Sequence, residues 1–323
     1  MSWVRETRNQ IGNGASGGQP GDRVRVTLAT TTFAAILDSR VINWLRLVAV
    51  TSPGRVRVPD GELMEPIITT HSLTKKFGDF VAVDHIDLEI MKGEIFGFLG
   101  PNGAGKSTTI RMLTTLSEPT EGTAEVSGFD VRTQADEVRR RIGLVAEKII
   151  LYPRLTAVEN LMFFGELYGM SRTELKPKIN ELLEMVRLES FKDIPTGGYS
   201  SGMRQRLNIV RGLLHDPEIL FLDEPTALLD PQSVRFVRDL VKELNANGKT
   251  IILTTHIMEE ADELSHTVGI IDHGKMVAVD ETAFLKGKYK CETLEEVFLE
   301  LTGRTLRDSA SSHVPMRRTM GRI

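Results

Sequence analysis

The sequence predicts an α/β fold: a core of mainly parallel strands flanked by helices, with an antiparallel β subdomain and an α-helical insertion subdomain. Three observations predict it. Apolar runs such as that in 218–222 are typical of strands buried on both faces of a parallel sheet. Alternating polar and apolar residues over 67–74 and 81–90 indicate antiparallel strands. A helical stretch over 156–190 then interrupts the alternation of strands and helices.

The strands and helices are predicted in chain order from local signals. A buried apolar run at 94–99 ends at a glycine-rich turn, and a helix is expected to follow over 106–116. Three S/T-x-x-E sequences predict helix starts, because the hydroxyl and the carboxylate satisfy the first free backbone N–H groups. They are Thr156 with Glu159, Ser171 with Glu174, and Thr293 with Glu296.

A further helix is predicted between the apolar strands 218–222 and 250–255. Asp230 is its expected N-cap, Pro231 lies in its first turn, and Gly248 follows its end. Since a helix joins two buried strands, the strands are expected to run parallel in one sheet.

Composition excludes several classes of protein. The 323 residues carry 40 Lys and Arg against 44 Asp and Glu, and 41% are hydrophobic, which excludes collagen-like or wholly disordered chains. The single cysteine, Cys291, excludes an intramolecular disulfide and a multi-cysteine zinc site, as expected in a reducing compartment. The apolar window 33–50 contains Asp38, Arg40 and Arg46, so we expect no membrane span and a cytoplasmic chain.

Domain boundaries follow from a change in composition near residue 64. Residues 1–63 hold both tryptophans and none of the 14 lysines. We expect a disordered leader, or a mis-set start with Met64 as the true first residue; a membrane-surface helix over 33–48 is the alternative. The resulting division is a leader at 1–63, a folded domain at 64–304 with its helical insertion at about 150–215, and a loose tail at 305–323.

A glycine-rich loop carries the first chemical signal. Residues 100–107 match G-x-x-x-x-G-K-[ST] between a buried strand and a helix. The glycines let backbone N–H groups approach phosphate oxygens, Lys106 supplies a positive charge, and Ser107 offers a hydroxyl to magnesium. The loop predicts a nucleotide-binding site of the P-loop type, a class that includes kinases and GTPases.

Two adjacent carboxylates, Asp223 and Glu224, end the apolar strand that begins near residue 218. One carboxylate is suited to hold magnesium through water, and the other to polarise a water that attacks the γ-phosphate. Solvated acids at a strand end are the alternative for this pair taken alone.

A third segment, 199–206, precedes a helix that is expected to run to about Leu214, so Ser200 and the following amides lie at a positive helix end. With this segment the chain resembles the nucleotide-binding subunit of an ABC (ATP-binding cassette) transporter over about residues 66–303. Five motifs in order carry the resemblance: the phosphate loop, the segment 199–206, the strand with Asp223 and Glu224, the Asp230 turn, and Thr255 with His256.

The resemblance implies ATP and magnesium as ligands and assigns roles by position. Contacts with the ATP held by the same chain are implied for Phe77, Gly100, Asn102, Gly103, Ala104, Gly105, Lys106, Ser107 and Thr108. Magnesium ligands are implied at Ser107, Glu147 and Asp223, and catalytic roles at Glu224 as base, at His256 facing the γ-phosphate, and at Lys106. A core aromatic is the alternative for Phe77, and a solvated loop histidine for His256.

The same resemblance implies two kinds of partner. Ser200 and Gly202 are expected to close over the ATP of a second copy, forming an ATP-sandwich dimer, and Asp230 is expected to contact that copy while capping its own helix. Separate transmembrane permease subunits are expected, which would place the chain peripherally on the cytoplasmic side of the membrane. No nucleic acid partner is expected, and the permease selects the cargo.

Residues near Glu147 are expected to meet the permease. Ile149, Leu151 and Tyr152 offer an apolar contact beside the helical insertion, with ordinary core packing as the alternative. Other classes weighed are a soluble ABC-type ATPase acting on nucleic acid or the ribosome, a noncatalytic ABC subunit, and a P-loop small-molecule kinase.

Several residues depart from the commonest family pattern. Glu147 stands where most members have Gln, Tyr199, Ser201 and Met203 alter the signature segment, and Leu228 replaces a frequent Gly. The glutamate, the altered signature and the helix at 293–304 resemble the drug- and polysaccharide-export branch, which includes daunorubicin-resistance proteins. Export is therefore the expected direction of transport.

Overall fold

The structure is a computed structural model that describes residues 56–57 and 63–303. Of the predicted leader 1–63, residues 1–55 and 58–62 lie outside the described residues, as does the whole predicted tail 305–323. Among the helices within 63–303, none is both long and apolar enough to cross a membrane.

The described residues form strands and helices that are numbered here in chain order. The strands are β1 Val56–Arg57, β2 Leu63–Met64, β3 Pro66–Phe77, β4 Phe80–Met91, β5 Ile95–Leu99, β6 Glu121–Val126, β7 Phe129–Asp130, β8 Ile142–Val145, β9 Ile219–Asp223, β10 Thr250–Thr255, β11 Thr267–Asp272 and β12 Lys275–Glu281. The α-helices are α1 Lys106–Leu113, α2 Ala135–Arg141, α3 Ala157–Leu167, α4 Arg172–Met185, α5 Ser201–Leu213, α6 Pro231–Ala246, α7 Met258–Leu264, α8 Thr282–Tyr289 and α9 Leu294–Thr302.

A six-stranded sheet in the order β12-β11-β5-β10-β9-β8 forms the centre of the domain. All neighbours are parallel except β11 and β12. Every residue of β5, β9 and β10 is buried, which explains why these strands are mainly apolar. The predicted core of mainly parallel strands is confirmed.

A second sheet, antiparallel and four-stranded, has the order β4-β3-β6-β7. Its strands β3 and β4 extend the two predicted alternating segments by a few residues at each end. Phe96, Phe98 and Phe221 from the central sheet share one apolar core with Ile68 and Ile86 from this sheet. This core packs β5 of the central sheet against the antiparallel sheet, and it thereby holds the loop that follows β5.

Within 156–190 the structure has two main helices, α3 and α4, one at each of the two predicted helix starts. Both predicted capping boxes are present, at Thr156 before α3 and at Ser171 before α4. Gly169 between the helices, with φ 79°, and Arg187 after α4, with φ 54°, take left-handed conformations that end the helical runs. The predicted first helix, 106–116, is also shorter and ends at Leu113, because Thr115 has φ 62°.

Close contact between α5 and β8 positions the helical insertion on the central sheet. A Cβ on Gly143 of β8 would collide with the carbonyl oxygen of Gly212 on α5. Since a backbone atom cannot rotate away as a side chain can, this contact requires glycine at residue 143.

We expect Gly143→Ala to lower the free energy of unfolding by about 1–3 kcal/mol, because α5 must move away from β8. Gly287→Ala on α8 is the matched control: its added Cβ meets no atom within 4 Å, and alanine raises helix propensity by up to about 1 kcal/mol. Urea unfolding measures both changes. Equal midpoints for the two variants would contradict the packing argument.

Candidate nucleotide-binding site

The glycine-rich loop joins the end of β5 to the start of α1. A Cβ on Gly105, where φ is 115°, would lie 2.7 Å from the carbonyl oxygen of Ala82, and a Cβ on Gly100 would overlap the carbonyl oxygen of Ile271. Glycine is therefore required at both positions by close approach of neighbouring backbone, as well as by the turn itself. The loop is held against β4 and β11 and leaves its other side open to a cleft.

Lys106, at the first position of α1, is buried with its ammonium inside the loop. Its Nζ donates hydrogen bonds to the carbonyl oxygens of Gly100 at 2.7 Å and Pro101 at 3.3 Å, and lies 3.4 Å from Glu224 Oε1. Burial lowers the pKa of Lys106, and the Glu224 carboxylate opposes this shift more than Asp223 or Glu147 does. Lys106 is therefore a buried cation whose partners are neutral carbonyls and one carboxylate.

Three oxygen-bearing side chains meet where β9 and β10 end. Ser107 Oγ donates to Asp223 Oδ1 at 3.0 Å, and Thr254 Oγ1 donates to the same oxygen at 2.6 Å. Thr254 is the register partner of Asp223 in the parallel pair β9–β10. No local pattern in the sequence points to Thr254, because only the register of β9 and β10 brings it to Asp223.

Glu224 and His256 form a pair at the same edge of the sheet. His256 Nδ1 lies 2.7 Å from Glu224 Oε2. Glu224 has φ 52°, and its N–H donates to the carbonyl and hydroxyl oxygens of Thr254. Among the described residues, Glu224 Oε1 accepts no hydrogen bond and faces Lys106. His256 therefore contacts the predicted base, and its side chain remains partly exposed.

A cleft of 510 Å³ contains most of the predicted ATP-contacting residues. Predicted residues on its wall are Phe77, Asn102, Gly103, Gly105, Lys106, Ser107, Thr108, Glu147, Glu224 and His256; residues not predicted are Phe80, Ala82, Pro101 and Ala227. Phe77 and Phe80 are more than half exposed, so the core-aromatic alternative for Phe77 is wrong. Exposed aromatic faces at the cleft rim are suited to stack on a base.

Five predicted residues do not line this cleft: Gly100, Ala104, Ser200, Gly202 and Asp223. Gly100 and Ala104 belong to the phosphate loop, where Gly100 binds the Lys106 ammonium through its carbonyl and Ala104 is buried. Asp223 is also buried, behind Ser107.

Ser200 and Gly202 lie at the start of α5 instead. Ser200 is an exposed N-cap that accepts from the N–H of Met203 at 3.2 Å. Gly202 is buried, and an added Cβ would overlap Ser233 Oγ and lie 3.7 Å from Asp230 Oδ2. Within one chain, the starts of α5 and α6 therefore form a second cluster that is separate from the cleft.

The donor atoms of the site suit magnesium. Asp223, Glu147 and Ser107 provide carboxylate and hydroxyl oxygens, which are the ligands that Mg²⁺ prefers. Over the part of the chain that the structure describes, no group of three His, Cys, Asp or Glu side chains could hold a metal ion. A site with only two carboxylates and a hydroxyl is typical of Mg²⁺ that is bound together with substrate phosphates.

The central parallel sheet, the loop after β5 and the carboxylates after β9 define a P-loop nucleotide-binding protein. The sequence profile described as "ABC transporter" matches residues 83–227. A Nod factor export ATP-binding protein of Cupriavidus metallidurans is 40% identical over 247 residues, covering 76% of this chain and 81% of the relative. The chain belongs to the ABC transporter family. It is an ATP-binding, ATP-hydrolysing subunit.

Other relatives and solved structures agree with this assignment. The daunorubicin/doxorubicin resistance ATP-binding protein of Streptomyces peucetius is 44% identical, over 68% of this chain and 66% of the relative. The ATP-binding subunit of an ABC transporter matches with TM-score 0.67 and 28% identity, over 73% of this chain and 99% of that structure. A dimeric, post-hydrolysis ATP-binding cassette bound to ADP and Pi matches with TM-score 0.61 and 30% identity, over 67% and 98%. The resemblance to the export branch is confirmed.

We expect Thr254→Val to lower the free energy of unfolding by about 1 kcal/mol, because Asp223 and the Glu224 N–H each lose a buried hydrogen-bond partner. Valine has nearly the shape of threonine, so the change tests the hydroxyl alone. Thr254→Ser keeps the hydroxyl and should lie closer to wild type. Chemical denaturation with both variants checks the order, and a valine variant as stable as wild type would contradict it.

Proposed function

We propose that this chain hydrolyses Mg-ATP at the cleft with Glu224 as general base, as one of two copies that drive export through a separate permease. One observation carries the catalytic part of the proposal. The Glu224 carboxyl lies between the buried Lys106 ammonium and the His256 imidazole, with one oxygen toward each.

Different residues of the cleft contact different parts of ATP. Phe77, and also Phe80, stack on the base, and the loop from Asn102 to Thr108 binds the phosphates through its backbone N–H groups. Lys106 exchanges its carbonyl partners for phosphate oxygens. When Mg²⁺ is bound, Ser107, Asp223 and Glu147 hold it, and it neutralises charge on the phosphates.

Hydrolysis needs a base, and Glu224 is placed for that role. Glu224 accepts a proton from the attacking water, whose oxygen forms a bond to the γ-phosphorus while the bond to the β-phosphate bridging oxygen breaks. His256 holds the Glu224 carboxyl through its 2.7 Å contact and is placed to face the γ-phosphate. The products are ADP and inorganic phosphate.

A second copy completes the site. Ser200 and Gly202 do not reach the cleft of their own chain, yet an exposed helix start is suited to bind phosphate. Leu228, two residues before Asp230, is 99% exposed and has φ 61°. An apolar side chain held outward in a strained backbone conformation supports an interface at this turn. One matched cassette structure is described as dimeric.

A permease is proposed to dock on an apolar groove beside the helical insertion. The groove is lined by Leu116, Leu144, Ala146, Ile150, Phe164, Leu167, Tyr168, Arg211 and Gly212. Of the three residues predicted to meet the permease, Leu151 packs on the core, Ile149 is partly buried and Tyr152 is exposed. None of the three lines the groove, whereas the exposed Ile150 does. Export is proposed because the relatives are named for Nod factor export and drug resistance.

We expect Glu224→Gln to lower kcat for ATP hydrolysis by at least about 100-fold while ATP binding is retained, because the amide cannot accept the proton. A dimer should accumulate in the presence of ATP. Phosphate release and light scattering measure the two effects.

Glu218→Gln is the matched control. Glu218 directly precedes the start of β9, whereas Glu224 follows its end, and the Glu218 side chain is about half exposed. This variant should hydrolyse ATP at the wild-type rate. Unchanged turnover in Glu224→Gln would remove Glu224 from the role of base.

We expect Leu167→Asp to lower the membrane-sedimenting fraction of the chain at least about fivefold in cells of its native source, because the charge enters an apolar interface. Phe284→Asp on α8 is the control, since Phe284 is exposed outside the groove. Equal membrane fractions for the two variants would contradict docking at the groove. Purified Leu167→Asp should still bind ATP.

A further inference from the structure

Glu260, on α7, carries a buried carboxyl that the proposed mechanism does not use. The residue is fully buried, and both carboxyl oxygens lack a well-formed hydrogen bond within the described residues. Arg238 Nε is 3.9 Å from Glu260 Oε1 and is itself without a hydrogen-bond partner there. Burial of an ionisable group in this way is costly, so a stable site needs a reason for it.

The surroundings of Glu260 connect it to both members of the catalytic pair. Burial raises the pKa of Glu260, and the hydroxyls of Thr255 and Thr226 oppose this shift. Thr226 follows Glu224 by two residues, and Thr255 directly precedes His256. One carboxyl therefore lies behind the two segments that carry the proposed base and its histidine.

The hydroxyl hydrogen of Thr255 is available for Glu260. Thr255 Oγ1 accepts from the N–H of Ile257 at 3.0 Å, which leaves its own hydrogen free to be donated. The Thr255 hydroxyl can therefore donate toward the Glu260 carboxyl. Thr226 is also buried.

Arg238 connects Glu260 to a third segment. It lies on α6, the helix that Asp230 caps, and its Nη1 donates to Glu263 Oε2 at 2.8 Å. With Nη1 held by Glu263, Nε faces Glu260. The turn that contains Asp230 therefore has a link to α7 on each side of Asp230 in the chain. Thr226 provides the link before Asp230, and α6 provides the link after it.

A second glutamate, Glu94, directly precedes β5, is partly buried, and differs from Glu260 in its hydrogen bonds. Glu94 accepts a hydrogen bond on each oxygen, from the Met91 N–H at 2.6 Å and from Thr267 Oγ1 at 2.7 Å. A glutamate that only closes a turn is therefore fully paired here. Glu260, in contrast, has loose contacts with three segments that meet behind the site.

We infer that Glu260 is a positioning residue, which holds the Glu224 turn, the His256 strand end and α6 in the mutual arrangement that hydrolysis requires. The inference rests on the proposed roles of Glu224 and His256. Glu260 itself touches no reacting atom. Its effect belongs to kcat, because the residues that bind ATP belong to the phosphate loop and the aromatic rim.

The first test compares kcat and KM for ATP hydrolysis by the full chain carrying Glu260→Ala, Glu260→Gln or Glu259→Ala. Glu259 is the exposed neighbour on α7 and serves as the control. Glu260→Ala should lower kcat at least about tenfold and change KM less than about twofold, since misplacing catalytic groups costs rate more than binding. Glu260→Gln keeps an oxygen acceptor and should therefore retain most of the wild-type kcat.

Equal kcat per folded molecule for Glu260→Ala and Glu259→Ala would overturn the inference, as would a matched loss of kcat and ATP affinity. If Glu260→Ala does not fold, kcat and KM of Thr226→Val test the inference, because this change removes one hydroxyl with little change of shape. Thr226→Val should lower kcat at least about threefold at unchanged KM, and an unchanged kcat would overturn the inference. A Glu224→Gln variant that still hydrolyses ATP identifies failure of the proposed function separately.

Discussion

The parallel alignment of β5, β10 and β9 is the constraint on which the site depends. Carboxyl ends of parallel strands meet at one edge of a sheet, so Leu99, Thr255 and Asp223 bring the phosphate loop, the histidine and the carboxylates together. A register shift of one residue between β9 and β10 would turn Thr254 away from Asp223. The burial of these strands on both faces is what makes such a shift costly.

One lysine ammonium and three carboxylates set the electrostatics of the cleft. Lys106 is the central cation, and the carboxylates of Glu224, Asp223 and Glu147 all stabilise its charged form against burial. The arrival of ATP phosphates adds negative charge beside these acids, which favours the binding of a divalent cation with the nucleotide. The electrostatics of the cleft and the proposed use of Mg-ATP therefore agree.

Local signals in the sequence predicted much of the fold and of the cleft. The phosphate loop and the three capping boxes depend on residues within a few positions of one another, so the spacing alone reveals them. Elements with weaker patterns were missed: α2 and α7 have seven residues each, and β12 combines apolar residues with half-exposed positions. Contacts made through tertiary structure, such as Thr254 with Asp223 and Gly202 with Ser233, required the folded chain.

Gly202 also affects how sequence variation in this family should be interpreted. Its hydrogen atom lies where any larger side chain would displace Ser233, so selection for a stable fold would keep glycine there even in a copy that no longer hydrolyses ATP. Retention of this glycine therefore says little about whether a duplicated cassette is still active. Loss of Glu224 or His256, which have no comparable packing constraint, would be the earlier mark of a cassette that has become a regulatory subunit.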